Sequence, residues 1–222
     1  MSLAIFDLDN TLIGGDSDYL WGEFLVEKKL VNQEFYKQAN QRFYNEYKAG
    51  TLDIYEFLEF SLAPLSQHPM QQLNEWHQEF MNTKIMSIWL KKAEDLLAQH
   101  RKKNDFLLII TATNHFVTAP IAEKLGVDDI IATMPEQINQ QYTGKVAGIP
   151  CFQEGKVKRL SQWLVENNHC LDGSYFYSDS YNDLPLLLEV TYPIAVDPDE
   201  KLQHYAMDNN WPIISLRAFS QT

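Results

Sequence analysis

The sequence predicts an α/β fold, a Rossmann-like parallel sheet flanked by helices, with a helical insertion after the first strand. Three observations carry that expectation. Short apolar runs ending in polar residues recur along the 222-residue chain, helix-length amphipathic segments separate them, and about a hundred residues part the first run from the second. The first two form the pattern of strands joined by helical crossovers, and the third is far more chain than one crossover needs.

Strands of a parallel sheet are covered on both faces, so each reads as a nearly continuous apolar run. The first run is residues 3–6, ending at Asp7; the second is 106–110, ending at Thr111; the third centres on 130–132. A fourth, 174–177, ends at Ser178 and Asp179, a fifth, 192–196, ends at Asp197, and residues 212–216 supply a sixth. Crossover helices are expected over 87–103, 115–125, 155–167, 182–189 and 199–209. Inside the insertion, helices are expected over 18–30, 32–48, 53–62 and 69–81, with breaks at Val31-Asn32, Gly50-Thr51 and the Pro64 to Pro69 stretch. Residues 15–85 therefore read as a small all-α cap domain, and residues 1–14 with 86–222 as the α/β core domain. The irregular stretch 135–150, which contains Tyr142-Thr143-Gly144-Lys145-Val146, reads as a β-hairpin beside the sheet.

With 45% hydrophobic and 22% charged residues, the chain falls outside the disordered and fibrous compositional classes. Eighteen Lys and Arg against 30 Asp and Glu leave a formal charge of -12. That charge opposes the positive field that a nucleic-acid backbone or an anionic membrane requires, so neither is an expected partner. Two cysteines, Cys151 and Cys170, make no disulfide framework. Asp7 and Asp9 interrupt the first apolar run at once, and the longest strongly apolar stretch, 106–110, is far short of the roughly 20 residues of a membrane span. A cytoplasmic protein is expected, with the choice between monomer and dimer left open.

Asp7-Leu8-Asp9-Asn10-Thr11 places two carboxylates at the C-terminal end of a buried strand, where open α/β sheets bind ligands. A second acidic pair, Asp179 and Asp183, lies just past another apolar run. Four carboxylates converging on one sheet edge repel one another unless a cation neutralises them, and hard oxygen ligands suit Mg²⁺. A lone Asp-x-Asp is commonly a turn or a helix cap. Here it belongs to an ordered set: Asp7 and Asp9 on the first strand, Thr111 ending the second, Lys156 opening a helix, then Asp179 and Asp183.

In that set the sequence resembles the haloacid dehalogenase-like (HAD) hydrolases, whose phosphatases carry four such motifs in this order along the whole chain. The helical insertion after the first motif looks like the C1-type cap of the branch that contains phosphoserine phosphatase. Phe152-Gln153-Glu154-Gly155-Lys156-Val157-Lys158-Arg159-Leu160 and Tyr177-Ser178-Asp179-Ser180-Tyr181-Asn182-Asp183-Leu184-Pro185 are similar to the subfamily IB group that includes bacterial histidinol-phosphatases.

The resemblance implies a Mg²⁺-dependent phosphatase acting on a small-molecule phosphate ester. Asp7 would be the nucleophile and form an aspartyl-phosphate, and Asp9 would be the general acid and base. The metal would be held by Asp7, the backbone carbonyl of Asp9 and Asp179, with Asp183 completing or bracing the set. Thr111 and Ala112 with Lys156 would bind the phosphoryl group, Lys156 offsetting its charge, with Lys158 or Arg159 as the fallback, and Thr113 and Asn114 would help shape that loop. Phosphoserine phosphatases place a Glu nine residues after the nucleophile to meet the substrate ammonium. Asp16 stands at that spacing here, and it reads equally as the cap of the helix over 18–30. They also use a cap arginine for the substrate carboxylate, and residues 55–62 contain none.

Residues 15–85 carry eleven acidic against six basic residues, a net charge of -5. An acidic cap favours a leaving group that is neutral or cationic, which histidinol phosphate supplies. Phosphoserine or another small ester is the alternative, and a catalytically silent module of the same fold is a third reading, although no motif residue is missing. A hinge is expected near Gly14-Gly15 and residues 84–87, where the insertion joins the core. His115 reads as a helix-start residue, Cys151 as a thiol without a basic partner, and Tyr19, Trp21, Phe43, Tyr44, Tyr47 and Trp76 as packing for the cap, with one or two of them also placed to meet a ligand.

Overall fold

The computed structural model describes residues 2–218. The chain opens with strand β1 (Leu3–Phe6) and makes four helices before returning to the sheet: α1 (Ser17–Glu27), α2 (Gln33–Ala49), α3 (Ile54–Leu62) and α4 (Met70–Thr83). Helix α5 (Lys91–Lys102), strand β2 (Phe106–Asn114), helix α6 (His115–Leu125) and the strand pair β3 (Asp129–Ile138) and β4 (Gln141–Ala147) follow. The remainder is α7 (Glu154–Asn167), β5 (Tyr175–Ser178), α8 (Leu184–Leu187), β6 (Tyr192–Val196), α9 (Glu200–Asp208) and β7 (Ile213–Ile214).

The strands form one sheet in the order β4-β3-β2-β1-β5-β6-β7. Pairing is parallel except between β3 and β4, which form the expected antiparallel hairpin through a turn at Asn139-Gln140, with Tyr142 to Val146 inside β4. Strand β1 is central, in register with β2 on one side (Phe6 opposite Ile109) and β5 on the other (Phe6 opposite Tyr177). The chain runs outward from β1 through β2 and β3 and then crosses back to β5, so the topological switch lies at the C-terminal end of β1, where Asp7 begins.

Side chains of a strand alternate between faces, and both faces here are apolar. Leu3 and Ile5 join Leu108, Ile110, Phe176 and Ala195 against Leu160 and Trp163 of α7 and Leu202 of α9. Ala4 and Phe6 join Leu107, Ile109 and Tyr177 on the opposite face, against Leu97 of α5 and Val117 and Ile121 of α6. The latter core continues into the helices after β1: Trp21 of α1 meets Phe116 of α6 edge-on at 5.4 Å, and His77 Nε2 of α4 donates to the Val117 carbonyl at 2.9 Å. The two connections to that helical segment are also tied, Gly14 N–H donating to the Ile88 carbonyl at 2.7 Å beside an antiparallel bridge between Ile13 and Trp89.

Helix ends follow local chemistry. Asp16, Asn32, Asp53 and Asn114 cap α1, α2, α3 and α6 through their side chains. Gly50 and Gly126 close α2 and α6 in the left-handed conformation that glycine adopts without strain. Two expected helices differ. The one expected from residue 87 starts at Lys91, because residues 85–88 form a 3₁₀ turn and Trp89 pairs with Ile13 in extended conformation. The one expected over 182–189 is a 3₁₀ turn at Tyr181–Asp183 followed by the single turn of α8.

Candidate active site

The carboxylates of β1 and the loop after β5 are drawn together by the parallel register. Asp7 N–H continues the sheet ladder by donating to the Tyr177 carbonyl at 2.9 Å, which sets it level with Ser178 and next to Asp179. Its Oδ1 accepts from Lys156 Nζ at 2.7 Å. Lys156 is 2% exposed and also reaches Asp183 at 2.7 Å, so one ammonium bridges two aspartates 176 residues apart in sequence. The second oxygen of Asp183 accepts from the Ser178 hydroxyl at 2.7 Å as well. Asp183 thus grips Lys156 and the end of β5.

Helix α7 delivers Lys156 from its first turn through a constrained entry. Gln153, immediately before the helix, has φ 47° and ψ -121°, a region that most residues avoid, and its side-chain amide donates to Asn182 Oδ1 at 3.0 Å. At Gly155, an added Cβ would overlap the Pro150 carbonyl oxygen. Gly155→Ala is therefore expected to cost about 1–3 kcal/mol, and to lower kcat because Lys156 is the next residue. Thermal melting and turnover read it; a variant unchanged in both contradicts the close approach.

Asp9 is gripped from two sides, Oδ1 accepting from Ser17 N–H at 2.7 Å and Oδ2 from the Thr113 hydroxyl at 2.7 Å. Thr113 lies in the extension of β2 beyond Thr111, whose hydroxyl in turn accepts from Thr113 N–H at 3.3 Å. Asp179 has no cation within hydrogen-bond reach among the described residues, and its Oδ1 meets only the Thr11 hydroxyl at 3.4 Å. Asp16 spends Oδ1 on the backbone N–H groups of Asp18 and Tyr19 at 3.0 and 2.9 Å, and it also faces the cavity described next.

That cavity lies between the sheet edge and the helices after β1. Asp7, Asp9, Thr111, Ala112 and Thr113 line it from the sheet, and Asp16, Asp18, Asn40 and a set of rings, Tyr19, Phe43, Tyr44, Tyr47, Phe57 and Phe152, line the rest. No Lys, Arg or His is among its described lining residues. Arg42 instead pairs with Glu56 at 2.6 Å, and Lys48 lies over the Tyr44 ring at 4.5 Å. Of the aromatics expected to pack the insertion, Trp21 does so, Phe43 is both buried and cavity-lining, and Tyr19, Tyr44 and Tyr47 line the cavity. The sequence offers Thr113 only as shaping the Thr111 loop and Tyr47 only as one of the insertion's aromatics; the Thr113 bond to Asp9 and the cavity-facing place of Asp18 lie outside the motif spacing. His115 lies outside the lining, and burial pushes the Cys151 thiol up to about 12, which leaves it inert.

Electrostatics follow from this crowding. Burial, with the charges of Asp183 and Asp9, pushes the Asp7 carboxyl up to about 7 against the pull of Lys156. Burial raises Asp9 despite its hydrogen bonds, and burial with Asp7 and Asp183 holds Asp179 well above the usual range. Burial works against the Lys156 ammonium, but Asp183 and Asp7 outweigh it and keep the charge in place. Four aspartates against one lysine leave an acidic surplus of oxygen donors, which fits a divalent cation. Among the described residues no three acidic, His or Cys side chains form a ready cage. The donor set fits Mg²⁺ nonetheless, because that ion is held by one or two carboxylates and completes its shell with waters and substrate oxygens.

Comparison with known proteins agrees with the geometry. The chain is 42% identical over 220 residues to a histidinol-phosphatase of Neisseria meningitidis serogroup C, covering 97% of this chain and 99% of that protein. It is 27% identical over 219 residues to a phosphoserine phosphatase of Mycobacterium tuberculosis, covering 96% and 70%. A crystal structure of a protein of unknown function from Bordetella pertussis superposes with a TM-score of 0.91 at 41% identity, covering 97% and 99%. A substrate-bound phosphoserine phosphatase superposes at 0.68 over 97% and 93%, and at 18% identity it bears on the fold alone. Residues 4–188 match the haloacid dehalogenase-like hydrolases, and the chain belongs to that family.

Proposed function

We propose that this phosphoric monoester hydrolase uses Mg²⁺ and an aspartyl-phosphate on Asp7 to hydrolyse a small amine-bearing phosphate ester, histidinol phosphate. The observation that carries the reading is a cavity running from Asp7 and Asp9 to Asp16 and aromatic rings, with no cationic side chain on its described walls. A leaving group with a carboxylate, such as serine, finds no counter-charge there, whereas an amine and an imidazole meet carboxylates and π-faces. The histidinol-phosphatase relative at 42% identity supports the same substrate.

A carboxylate oxygen of Asp7 attacks phosphorus in line, the ester P–O bond breaks, and Asp9 gives its proton to the departing alkoxide. Burial favours the protonated Asp9 that this step uses. Asp9 then takes a proton from water as that water attacks phosphorus, the bond to Asp7 breaks, and inorganic phosphate leaves. Lys156 and Thr111 offset charge on the transferred group, while Asp183 and Ser178 position Lys156. Mg²⁺, which phosphatases of this family generally use, would be held by Asp7, Asp179 and the Asp9 carbonyl and supplies positive charge to the phosphoryl oxygens.

Residues 15–85 act as a cap and residues 1–14 with 86–222 as the core, hinged at the paired connections of Gly14 and Ile88. The end of α2 latches onto the core, Asn182 Nδ2 donating to the Tyr47 carbonyl at 3.0 Å and Lys201 Nζ to the Ala49 carbonyl at 3.1 Å. Burial and the charges of Asp179, Asp183 and Asp7 keep the Tyr47 phenol protonated, so the cap brings a neutral wall to the acidic site.

Phosphate release with Mg²⁺ from histidinol phosphate, phosphoserine and an aryl phosphate tests the reading. The expected result is a kcat/KM for histidinol phosphate at least about tenfold above that for phosphoserine, one missing charge pairing being worth roughly that factor or more, and loss of all activity with EDTA. Preference for phosphoserine, or turnover unaffected by EDTA, overturns it.

A further inference from the structure

Of the acidic residues lining the cavity, Asp18 is the one whose carboxylate meets no hydrogen-bond donor and no ion pair among the described residues, the first turn of α1 in which it stands being its one favourable neighbour. Asp7 holds Lys156, Asp9 accepts two hydrogen bonds, and Asp16 caps α1 and is drawn by the charge of Lys48. The backbone of Asp18 donates to Asp16, but its carboxylate has no donor and no ion pair among the described residues. It is only 9% exposed, and it lines the cavity together with Asp16. Behind it, the Ser61 hydroxyl and Trp21 Nε1 also lack partners and line a small void next to Asp18. Burial and the charges of Asp16 and Asp9 hold the Asp18 carboxyl well above its usual range. Burial so favours the neutral acid, and the charged form is regained where a cation from outside the chain meets it.

We infer that Asp18 is a specificity-determining residue that receives a second basic nitrogen of the leaving group, Asp16 receiving the first. The inference rests on the proposed substrate reading and deepens it: the substrate class is a phosphate monoester with two basic nitrogens, one of them in a flat ring. Phe43, Tyr44 and Phe57 line the same cavity and offer the faces on which such a ring stacks. The carboxylate of Asp18 thereby exchanges an unpaired buried state for a charge-assisted hydrogen bond only when that substrate is bound.

Asp18→Asn keeps the side-chain shape and removes the charge. Wild type and variant are assayed on histidinol phosphate, on O-phosphoethanolamine, which has one nitrogen, and on an aryl phosphate, which has none. The expected result is that kcat/KM for histidinol phosphate falls at least tenfold more than for O-phosphoethanolamine, chiefly through KM, because the contact is made equally in ground and transition states. Free histidinol should raise the melting temperature of wild type and raise that of the variant by less than half as much. The unliganded variant should melt no lower than wild type, since a neutral amide replaces a carboxyl that burial already favours as the neutral acid and that makes no hydrogen bond or ion pair among the described residues. Wild type that prefers nitrogen-bearing esters while Asp18→Asn keeps the same preference overturns this inference alone. Equal losses on all three esters with a fall in melting temperature overturn it too, and make Asp18 an anchor for Ser61 and Trp21. Wild type without any preference for nitrogen overturns the substrate reading and this inference together.

Discussion

Asp7→Asn will lower phosphate release by roughly 10⁴-fold or more on every ester, because an amide oxygen is a poor nucleophile and the proposed covalent step has no substitute. Acid-quenched wild type incubated with substrate will carry a phosphoryl group detectable by intact mass, and the variant will carry none. The fold should survive, since the substitution removes one carboxylate from a site already in acidic surplus around Lys156. A variant that retains more than about a hundredth of wild-type turnover is incompatible with Asp7 as nucleophile, given the size of effect that nucleophile removal has elsewhere.

Lys156→Met will damage both stability and turnover. The lysine is 2% exposed and salt-bridged to Asp7 and Asp183, each at 2.7 Å. Removing one partner of a buried ion pair leaves the other charge without compensation, at about 3–5 kcal/mol. For a chain of this size that is a fall in melting temperature of roughly 6–20 °C. The second partner makes the prediction specific: Lys156→Met with Asp183→Asn should melt higher than Lys156→Met alone, because the stranded carboxylate is gone. Both variants should be inactive, as each lacks the charge that offsets the transferred phosphoryl group. No recovery in the double variant would mean that Asp183 is held by Ser178 rather than by the lysine.

Elements built from local patterns were legible at residue level. The expected bounds 3–6, 115–125 and 192–196 coincide with β1, α6 and β6, since an apolar run between polar residues, or an Asn cap and a following glycine, states its own limits. Bounds failed where tertiary partners replaced local ones. Strand β2 runs four residues past the apolar stretch because Thr111 and Thr113 find hydrogen bonds inside the site and Thr133 finds the Ala112 carbonyl. Helix α8 is cut to one turn because the residues before it are committed elsewhere. Asp183 holds Lys156 and Ser178, Asn182 reaches Tyr47, and Pro185 has no N–H to extend a helix backwards.

The sequence by itself determined the α/β class, the family, and the strand ends just past which Asp7 and Asp179 stand, because apolar spacing and motif order are properties of short segments, while Thr111 lies inside β2 and not at its end. Tertiary structure alone decided which groups neutralise one another. Lys156 meets Asp7 across 149 residues, Thr113 meets Asp9 across 104, and Asn182 meets Tyr47 across 135. No spacing rule reaches that far. Partners at such range are chosen by desolvation: a polar group carried into the interior must be satisfied by whatever the packed elements bring beside it. The same physics singles out Asp18, the acid of the cavity to whose carboxylate no described residue brings a hydrogen-bond donor or an ion pair.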